Sequence, residues 1–531
     1  MKKIILSSIS LILVAAITIV AFAATTVITN PKMDDVLNTP YDDGAKFLKS
    51  DKKAPAYKDE NGLKAVDSNT DTVWEAKDGT YTQYNFVKPT SINNIHVTEN
   101  GQKVRKFHVE AWTGNEWIKV YNNELIEGYY CATIENIKTQ SIRLFIDATI
   151  GAKGAQISEF KATFQRPVEY DKEFINMGYL TSNMFYQQYN TSFPKQTLQN
   201  LTDIYLIGNF CYDKDGNFVI TQEKNGDNAI LATYPSDSKE TEILMNGNDL
   251  SQLPVVDGVS CPKDKKGFLP FVKSQYDTTA GVKQPDMWIT LTCLQDVKFN
   301  GISAANMTSF NDLATRTKFI NEAVAFCKKF GLKGADIDWE YPGNQTAWNS
   351  YAALIKDMSV AFHKAGLLLS SAQSSDMFGL SGETLNYFDR INMMSYDQNR
   401  SSSGNHSTYQ GSTIDDIKRY IDKGVVPEKL VLGLAWYSSQ GQQSYKNIKT
   451  QMEAELPDGV TQIDPGENFF KGFTFNGVNL IKDRTLYAIK RKIGGVFAWQ
   501  LDCDTPYEDY GSLARAQDET IAKYVTPVAK G

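Results

Sequence analysis

Three carboxylates alternate along one short stretch of the chain, Leu332 to Gly343, whose sequence is LKGADIDWEYPG. Asp336, Asp338 and Glu340 occupy every second position, with apolar residues between them and a Tyr-Pro-Gly turn after them. Side chains alternate between the two faces of a β-strand, so the three acids share one face at about 7 Å per pair of residues. Crowded carboxyls in a partly dry environment cannot all ionise, because repulsion and desolvation raise at least one pKa. The stretch therefore predicts a carboxyl that stays protonated near neutral pH.

The acidic stretch is best interpreted as the site of a proton donor. The alternatives are a solvated strand and a cation site. Glu340 is the last acid before the turn, and cleavage of a glycosidic bond needs a donor held over a cleft. A solvated strand is disfavoured by Ile337 and Trp339, which share the opposite face. A hard-cation site is disfavoured because carboxylates spaced along one strand do not surround an ion as a loop does. We expect Glu340 to be the general acid above Asp336 and Asp338, with no metal and no cofactor.

The elements around this stretch alternate between strand-like and helix-like runs from residue 172 to 527. Eight apolar strand-like runs, each followed by room for a helix, predict a (β/α)8 barrel, with a doubly wound sheet as the alternative. Active sites of such barrels lie at the carboxyl ends of the strands, where the acidic stretch ends. The segment from Thr221 to Pro285, rich in Asn, Gly, Asp and Lys, is predicted to be an insertion after the second strand.

Five motifs in this region resemble glycoside hydrolase family 18, the chitinases and their relatives. In chain order they are GYL (178–180), the acidic stretch with DWEYP (338–342), MMSYD (393–397), KGVVPEKLVLGLAWY (423–437) and GGVFAWQLD (494–502). The acidic motif of the family, D-x-x-D-x-D-x-E, falls on Lys333, Asp336, Asp338 and Glu340, so a lysine replaces the first acid. The third strand, WITLTCLQD, lacks the S-x-G-G run of the family. We expect the lysine to alter the support of Asp336 more than the chemistry.

The resemblance implies a mechanism without an enzyme nucleophile, in which the 2-acetamido oxygen of the substrate attacks the anomeric carbon. Glu340 would act as the acid and then as the base. Asp338 would orient the acetamido N–H, Asp336 would share a proton beneath it, and Tyr396 would bond the acetamido carbonyl. The implied substrate-binding residues are Asp397, Met394, Trp499 and Tyr179. For Tyr396 and Trp499 a place in the barrel core is the alternative.

The implied partner is chitin or another glycan that contains N-acetylglucosamine. The leading interpretation is a chitinase that cleaves β-1,4-linked N-acetylglucosamine. One alternative is an endo-β-N-acetylglucosaminidase acting on N-glycans, and another is a catalytically weak chitinase-like lectin. The short interval between Tyr437 and Gly494 predicts that the large α+β insertion of many chitinases is abbreviated, which leaves an open groove.

The N-terminal residues predict export. Lys2 and Lys3 precede an apolar run that ends in Ala21-Phe22-Ala23, which is typical of a secretory signal over residues 1–23. A retained membrane anchor is the alternative. A secreted protein with no membrane contact after cleavage is expected. The formal net charge of -7 argues against a nucleic-acid partner.

Residues 24–60 are polar and are interpreted as a spacer, whereas residues 61–166 contain short runs of period-two alternation that predict an antiparallel β-sandwich. The runs AVDSNTDTVW (65–74) and GQKVRKFHVEAWTGNEWIKVY (101–121) resemble the discoidin family of surface- and carbohydrate-binding modules. This resemblance implies a possible second glycan partner. Trp74 is either a sugar platform or a core residue. Six cysteines without C-x-x-C spacing indicate neither a zinc cluster nor a compact disulfide scaffold.

Overall fold

A computed structural model shows the arrangement of most of the chain. It describes residues 47–181, 195–213, 215–224, 227–253, 265–275, 283–294, 298–299, 302–303, 308–374, 376, 379–398 and 400–526. The predicted signal and the first part of the predicted spacer lie outside the described residues. Within the described ranges, no helix combines the length and the apolar composition needed to cross a bilayer.

The N-terminal part of the described chain contains a six-stranded antiparallel sheet. Its strands are Trp74–Ala76 (β1), Thr80–Glu99 (β2), Val104–Trp112 (β3), Trp117–Asn123 (β4), Tyr129–Thr149 (β5) and Ala155–Thr163 (β6), in the order β1-β6-β2-β5-β3-β4. The alternation of Phe107, Val109 and Ala111 buries all three side chains on one face. Trp74 is 1% exposed, so it is a core residue and not a sugar platform. The antiparallel pairing is confirmed, and the discoidin fold stays a prediction.

The described end of the predicted spacer is not separate from this sheet. The backbone N–H of Lys49 donates to the carbonyl of Thr113 at 2.7 Å, and the indole of Trp112 donates to the carbonyl of Lys52 at 2.6 Å. The hydroxyl of Tyr57 donates to the carbonyl of Tyr81 at 2.5 Å. The acceptor in all three contacts is a backbone carbonyl, which composition does not report, and a short helix, Glu60–Leu63 (α1), follows.

Eight parallel strands then close into a barrel. They are Ile175–Thr181 (β7), Asp203–Tyr212 (β8), Asp286–Leu294 (β11), Gly334–Glu340 (β12), Leu368–Gln373 (β13), Arg390–Met393 (β14), Leu430–Ala435 (β15) and Gly495–Trp499 (β16), while Phe218–Lys224 (β9) and Asp227–Tyr234 (β10) form an antiparallel hairpin on β8. The pairing order β8-β11-β12-β13-β14-β15-β16-β7 is closed by β7 pairing with β8. The predicted barrel is confirmed, and the doubly wound sheet is excluded.

Helices surround the barrel in the order that the sequence predicts. They are Lys195–Gln199 (α2), Ser238–Asn246 (α3), Phe268–Ser274 (α4), Leu313–Lys329 (α5), Gln345–Lys364 (α6), Gly382–Leu385 (α7), Asp416–Asp422 (α8), Tyr445–Glu453 (α9), Val478–Lys490 (α10) and Leu513–Tyr524 (α11). The hairpin β9–β10, α3 and α4 confirm the insertion after the second barrel strand. Between β15 and β16 the chain forms α9, a short hairpin (Phe469–Phe470 with Phe473–Thr474) and α10, so the insertion there is abbreviated.

The strand with the three acids is fixed by capped helices on both sides. The carboxylate of Asp312 accepts from the N–H of Thr315 at 2.8 Å and begins α5, which leads into β12. The amide oxygen of Asn344 accepts from the N–H of Ala347 at 2.9 Å and begins α6, directly after the Pro-Gly turn. Each cap satisfies backbone donors that a helix start leaves unpaired. The turn and the second cap therefore end β12 directly after Glu340.

The sheet and the barrel meet at a buried carboxyl on α10. Asp483 accepts hydrogen bonds from the hydroxyls of Tyr121 and Tyr130 and from the backbone N–H of Thr133, the last two at 2.7 Å and 2.6 Å. Burial raises the pKa of Asp483 to about 7 against the effect of these three donors. A second contact involves the chain segment between the sheet and the barrel. Val168–Glu169 of this segment pairs in parallel with Val525–Thr526, which follows α11.

We predict that Asp483→Ala lowers the free energy of unfolding by at least about 2 kcal/mol, because it leaves buried donors of β4 and β5 without their acceptor. Urea denaturation of the full chain measures the change. Lys482→Ala is the matched control, since the ion pair of 3.4 Å between Lys482 and the half-exposed Glu519 is worth at most about 1 kcal/mol. Equal, small changes in both variants would contradict the importance of the Asp483 contact.

Candidate active site

The strand β12 places its three acids toward the barrel interior and its apolar residues toward the helices. Asp336 is fully buried and Asp338 is 4% exposed, while the ring of Trp339 packs 5.2 Å from Tyr351 of α6. The alternation expected from the sequence is therefore present, although both faces of the strand are buried. Burial on both faces means that every charge on β12 is removed from bulk water.

Four barrel strands supply hydrogen bonds to Asp336. Ser370 of β13 and Asn392 of β14 donate to Oδ1 at 2.6 Å and 3.2 Å. Tyr179 of β7 and Thr290 of β11 donate to Oδ2 at 2.9 Å and 3.3 Å. Burial raises the pKa of Asp336 to about 6, and these donors limit the rise because they stabilise the charged form.

Asp338 and Glu340 form a pair that cannot carry two charges. Burial, and then the charge of Glu340, raise the pKa of Asp338 well above its usual range. Burial also raises the pKa of Glu340, while hydrogen bonds from Tyr341 and Asp338 act in the opposite direction. The two neighbouring carboxyls therefore share one proton in the free site. Among the described residues, Oδ1 of Asp338 has no hydrogen-bond partner although it is buried.

A third carboxylate reaches the same cleft from the loop after β14. Asp397 is half exposed at its side chain, with Oδ1 2.8 Å from Nδ1 of His406 and Oδ2 accepting from the hydroxyl of Tyr437. Burial would raise the pKa of Asp397, but the hydrogen bonds from His406 and Tyr437 bring it below its usual value. Nε2 of His406 lies 3.2 Å from the carbonyl oxygen of Tyr437, so the ring bridges two loops of the barrel.

A cleft of about 360 Å³ collects these groups at the carboxyl ends of the strands. Of the residues singled out by sequence, it is lined by Tyr179, Asp338, Glu340, Met394, Tyr396, Asp397 and Trp499. Asp336 lies beneath it and accepts a hydrogen bond from one of these residues, Tyr179. Tyr179 is 1% exposed, and its hydroxyl donates to Asp336 and accepts from Asn392 at 2.9 Å. Tyr179 therefore reaches the cleft with its ring, which lies 5.4 Å from the ring of Trp499.

Sequence reasoning missed several residues of the cleft. Tyr341, Asp376, Gln442 and Gln500 line it and follow strands four, five, seven and eight of the barrel. Their place after a strand is the signal that could have identified them. His406 has no such signal, because it lies nine positions after Asp397 in a polar loop.

Lys333 lies before β12 and outside the cleft. Its Nζ is 3.1 Å from Asp286 at the start of β11, and both side chains are partly exposed. The lysine is therefore paired at the amino end of the barrel, opposite the end that carries the cleft. Among the described residues, no group of three or more His, Cys, Asp or Glu side chains is arranged to hold a metal.

A larger cleft of about 870 Å³ lies elsewhere, between the N-terminal sheet and the helices α9, α10 and α11. It contains none of the three acids of β12. Exposed apolar side chains, Val460, Phe469 and Tyr510, contribute to its lining. Size alone therefore does not identify the site of chemistry, and the smaller cleft holds the perturbed carboxyls.

Comparison with known proteins agrees with the motifs. Residues 299–504 match the family model described as "Glycosyl hydrolases family 18". The match supports a chitinase-like family 18 domain in this segment. It includes β12, β14, β15 and β16, and thus Asp336, Asp338, Glu340 and the loop with Asp397.

Three curated relatives have related sequences. "Nod factor hydrolase protein 1" of Medicago truncatula is 26% identical over 261 residues, which cover 39% of this chain and 68% of that protein. "Probable chitinase 2" of Drosophila melanogaster is 22% identical over 330 residues, which cover 48% of this chain and 66% of that protein. "Probable chitinase 10" of the same species is 24% identical over 251 residues, 36% of this chain, and the chain spans only 11% of its length. Among solved structures, a chitinase from Bacteroides thetaiotaomicron has a TM-score of 0.47 at 19% identity, covering 66% of this chain and 97% of that chain.

We predict that Tyr179→Phe destabilises the protein more at about pH 8 than at about pH 5. Above its pKa of about 6, Asp336 is ionised and a donated hydrogen bond is worth more to it than when it is protonated. Urea denaturation at both pH values measures how much the variant loses in unfolding free energy relative to the unaltered protein. This loss should be about 1 kcal/mol larger in the alkaline buffer. Tyr351→Phe is the control, because its hydroxyl bonds Ser371 and Gln373 and no carboxylate, and its cost should be the same at both pH values. A pH-independent cost for Tyr179→Phe would show that Asp336 does not titrate in this range.

Proposed function

We propose that the protein is a secreted chitinase, a retaining glycoside hydrolase that cleaves β-1,4-linked N-acetylglucosamine with Glu340 as acid and base. The observation that carries the proposal is that the neighbouring carboxyls Asp338 and Glu340 line one cleft at the carboxyl ends of the barrel strands, where burial raises the pKa of both. One of the two is protonated when the site is free, and a buried oxygen of Asp338 has no partner among the described residues. A glycosidase of this class needs a proton for the leaving oxygen and an acceptor for the acetamido N–H.

Binding of the sugar would place the shared proton on the residue that uses it. An acetamido N–H that donates to Oδ1 of Asp338 stabilises the ionised form of Asp338, since a hydrogen bond to a charged group favours the charge. The proton then lies on Glu340, beside the glycosidic oxygen. Substrate binding and activation of the acid are in this way one event.

The chemical steps balance without an enzyme nucleophile. The acetamido oxygen attacks the anomeric carbon as the glycosidic bond breaks, and Glu340 gives its proton to the leaving oxygen. The oxazolinium ion so formed carries a positive charge that ionised Asp338 stabilises. A water then adds to the anomeric carbon and gives its proton to Glu340, which restores the acid and retains the configuration.

The other cleft residues would orient the sugar. Tyr396 is 8% exposed, and its hydroxyl would donate to the acetamido carbonyl. Trp499 would lie under the apolar face of the distorted ring, with Met394 beside it, because the axial C–H groups of a sugar pack well on apolar surfaces. Asp397, kept ionised by His406 and Tyr437, would accept hydrogen bonds from sugar hydroxyls.

The names of the relatives support chitin as the substrate class. Two of the three relatives described above carry the name chitinase, and none is named as an N-glycan hydrolase or a lectin. The short segment between β15 and β16 would leave the cleft without a tall wall, and such a cleft would favour cuts within a polymer. Export is proposed from the charged and apolar N-terminal residues alone.

We predict that the full chain converts soluble chitooligosaccharides to shorter ones, and that Glu340→Gln lowers kcat by about a hundredfold or more, because the amide cannot donate an acidic proton. Mass spectrometry of the products measures both. Glu455→Gln is the control, since Glu455 is half exposed and pairs with Lys471 at the surface, and it should keep full activity. Turnover that survives in Glu340→Gln would defeat the assignment. Binding without turnover in the unaltered protein would show a lectin.

A further inference from the structure

The loop after the sixth barrel strand carries much of the cleft. We call residues 394–398 and 400–413 the strand-six loop. It contains Met394, Tyr396 and Asp397, which line the cleft, and His406, which contacts Asp397. We propose that the N-terminal antiparallel sheet holds the strand-six loop in place and thereby positions Asp397 for the sugar. This inference rests on the function proposed above.

The first set of contacts lies between the sheet and Ser401 and Ser402. The carboxylate of Glu127 accepts a hydrogen bond from the hydroxyl of Ser401. Arg105 donates to Oγ of Ser402 at 3.0 Å, and the side-chain oxygen of Gln102 accepts from the N–H of Ser402 at 3.2 Å. Glu127 is 3% exposed, so its hydrogen bond is sheltered from water and is worth more than one at the surface.

The second set of contacts lies beyond His406 in the sequence. The N–H of Tyr129 donates to the side-chain oxygen of Gln410 at 3.2 Å, and the ring of Tyr130 lies 4.4 Å from the ring of Tyr409. Gly128 allows this approach, because a Cβ there would lie 2.8 Å from the same oxygen of Gln410. The sheet therefore contacts the loop on both sides of His406.

The barrel holds the opposite side of the loop through Arg484 of α10, which is fully buried. Its guanidinium donates to the carbonyl oxygens of Ser395, Ser412 and Gly433 at 3.0 to 3.1 Å. It also donates to the side chains of Ser407, Thr413 and Asn476. Burial lowers the pKa of Arg484 to about 9. Ser395 precedes Tyr396 directly, and the strand-six loop is thus fixed between Arg484 and the sheet.

The neighbour of Arg484 on α10 joins the two supports. Asp483 accepts from Tyr130, and the ring of Tyr130 contacts Tyr409 of the loop. The helix α10 therefore contacts the sheet through Asp483 and the strand-six loop through Arg484. The sheet therefore supports a loop of the cleft, although none of its residues lines the cleft.

Asp397 is the residue most sensitive to this support. Its side chain is 51% exposed, so packing does not fix it, and it depends on His406 and Tyr437 for its position. His406 moves with the strand-six loop, whereas Glu340 belongs to β12. A loosened loop should therefore weaken sugar binding more than it slows proton transfer.

The test compares Glu127→Ala, Glu127→Gln and Arg105→Ala in the full chain. Lys106→Ala is the matched control, because Lys106 also joins the sheet to the barrel, at 2.9 Å from Glu467, but does not contact the strand-six loop. Hydrogen–deuterium exchange measures the protection of the backbone amides of the strand-six loop, and kinetics on chitooligosaccharides give KM and kcat. We expect faster exchange over residues 395–413 and a KM about five-fold higher in Glu127→Ala, the effect of one lost hydrogen bond.

Arg105→Ala should change exchange and KM in the same direction, and it serves as the second variant if Glu127→Ala does not fold. Glu127→Gln keeps an acceptor for Ser401 and should stay close to the unaltered protein, as should Lys106→Ala. Unchanged exchange and KM in the folded Glu127→Ala and Arg105→Ala proteins would overturn the inference. If exchange responds as expected but the unaltered protein cleaves no chitooligosaccharide, the positioning of the loop stands and the proposed function fails.

Discussion

Three carboxyls on alternate positions of one buried strand cannot all be charged, and most of the site follows from this constraint. Asp336 receives four donors from four different barrel strands, so it is the acid best able to hold a charge. Asp338 receives no donor at Oδ1 among the described residues, and burial and the charge of Glu340 raise its pKa well above the usual range. Along the strand, the deepest carboxyl is therefore stabilised by four donors, whereas the two carboxyls nearer the cleft share a proton. A closed barrel is needed for this gradient, because only a closed barrel brings donors from β7, β11, β13 and β14 to one side chain.

Much of this arrangement was predictable because it is local. The period-two alternation of GADIDWE determines which side chains share a face, and the Pro-Gly turn marks the end of the strand. The order of strand-like and helix-like runs predicts the barrel and the insertion after its second strand. The sequence does not report that Oδ1 of Asp338 lacks a donor among the described residues, and the assignment of Glu340 as the proton donor stays a prediction.

The parts that sequence did not predict depend on contacts between distant segments. His406 is one polar residue in a polar loop, and only the folded chain brings it to Asp397. Arg484 lies within the amphipathic helix α10, where a basic residue is usually solvated, yet it is fully buried among carbonyl oxygens. The sheet has a strand pattern that predicts its pairing but not its contacts with the barrel. Backbone groups and polar side chains make those contacts, and they leave no periodic signal.

The central claim is that the proton shared by Asp338 and Glu340 serves a reaction in which the sugar supplies its own nucleophile. The most direct test is proton NMR of the first products released from chitooligosaccharides, recorded before the anomers equilibrate. The account predicts that the new reducing ends appear first as the β-anomer, because attack by the acetamido group and then by water retains configuration. First appearance of the α-anomer would mean a single direct displacement by water and would contradict the account.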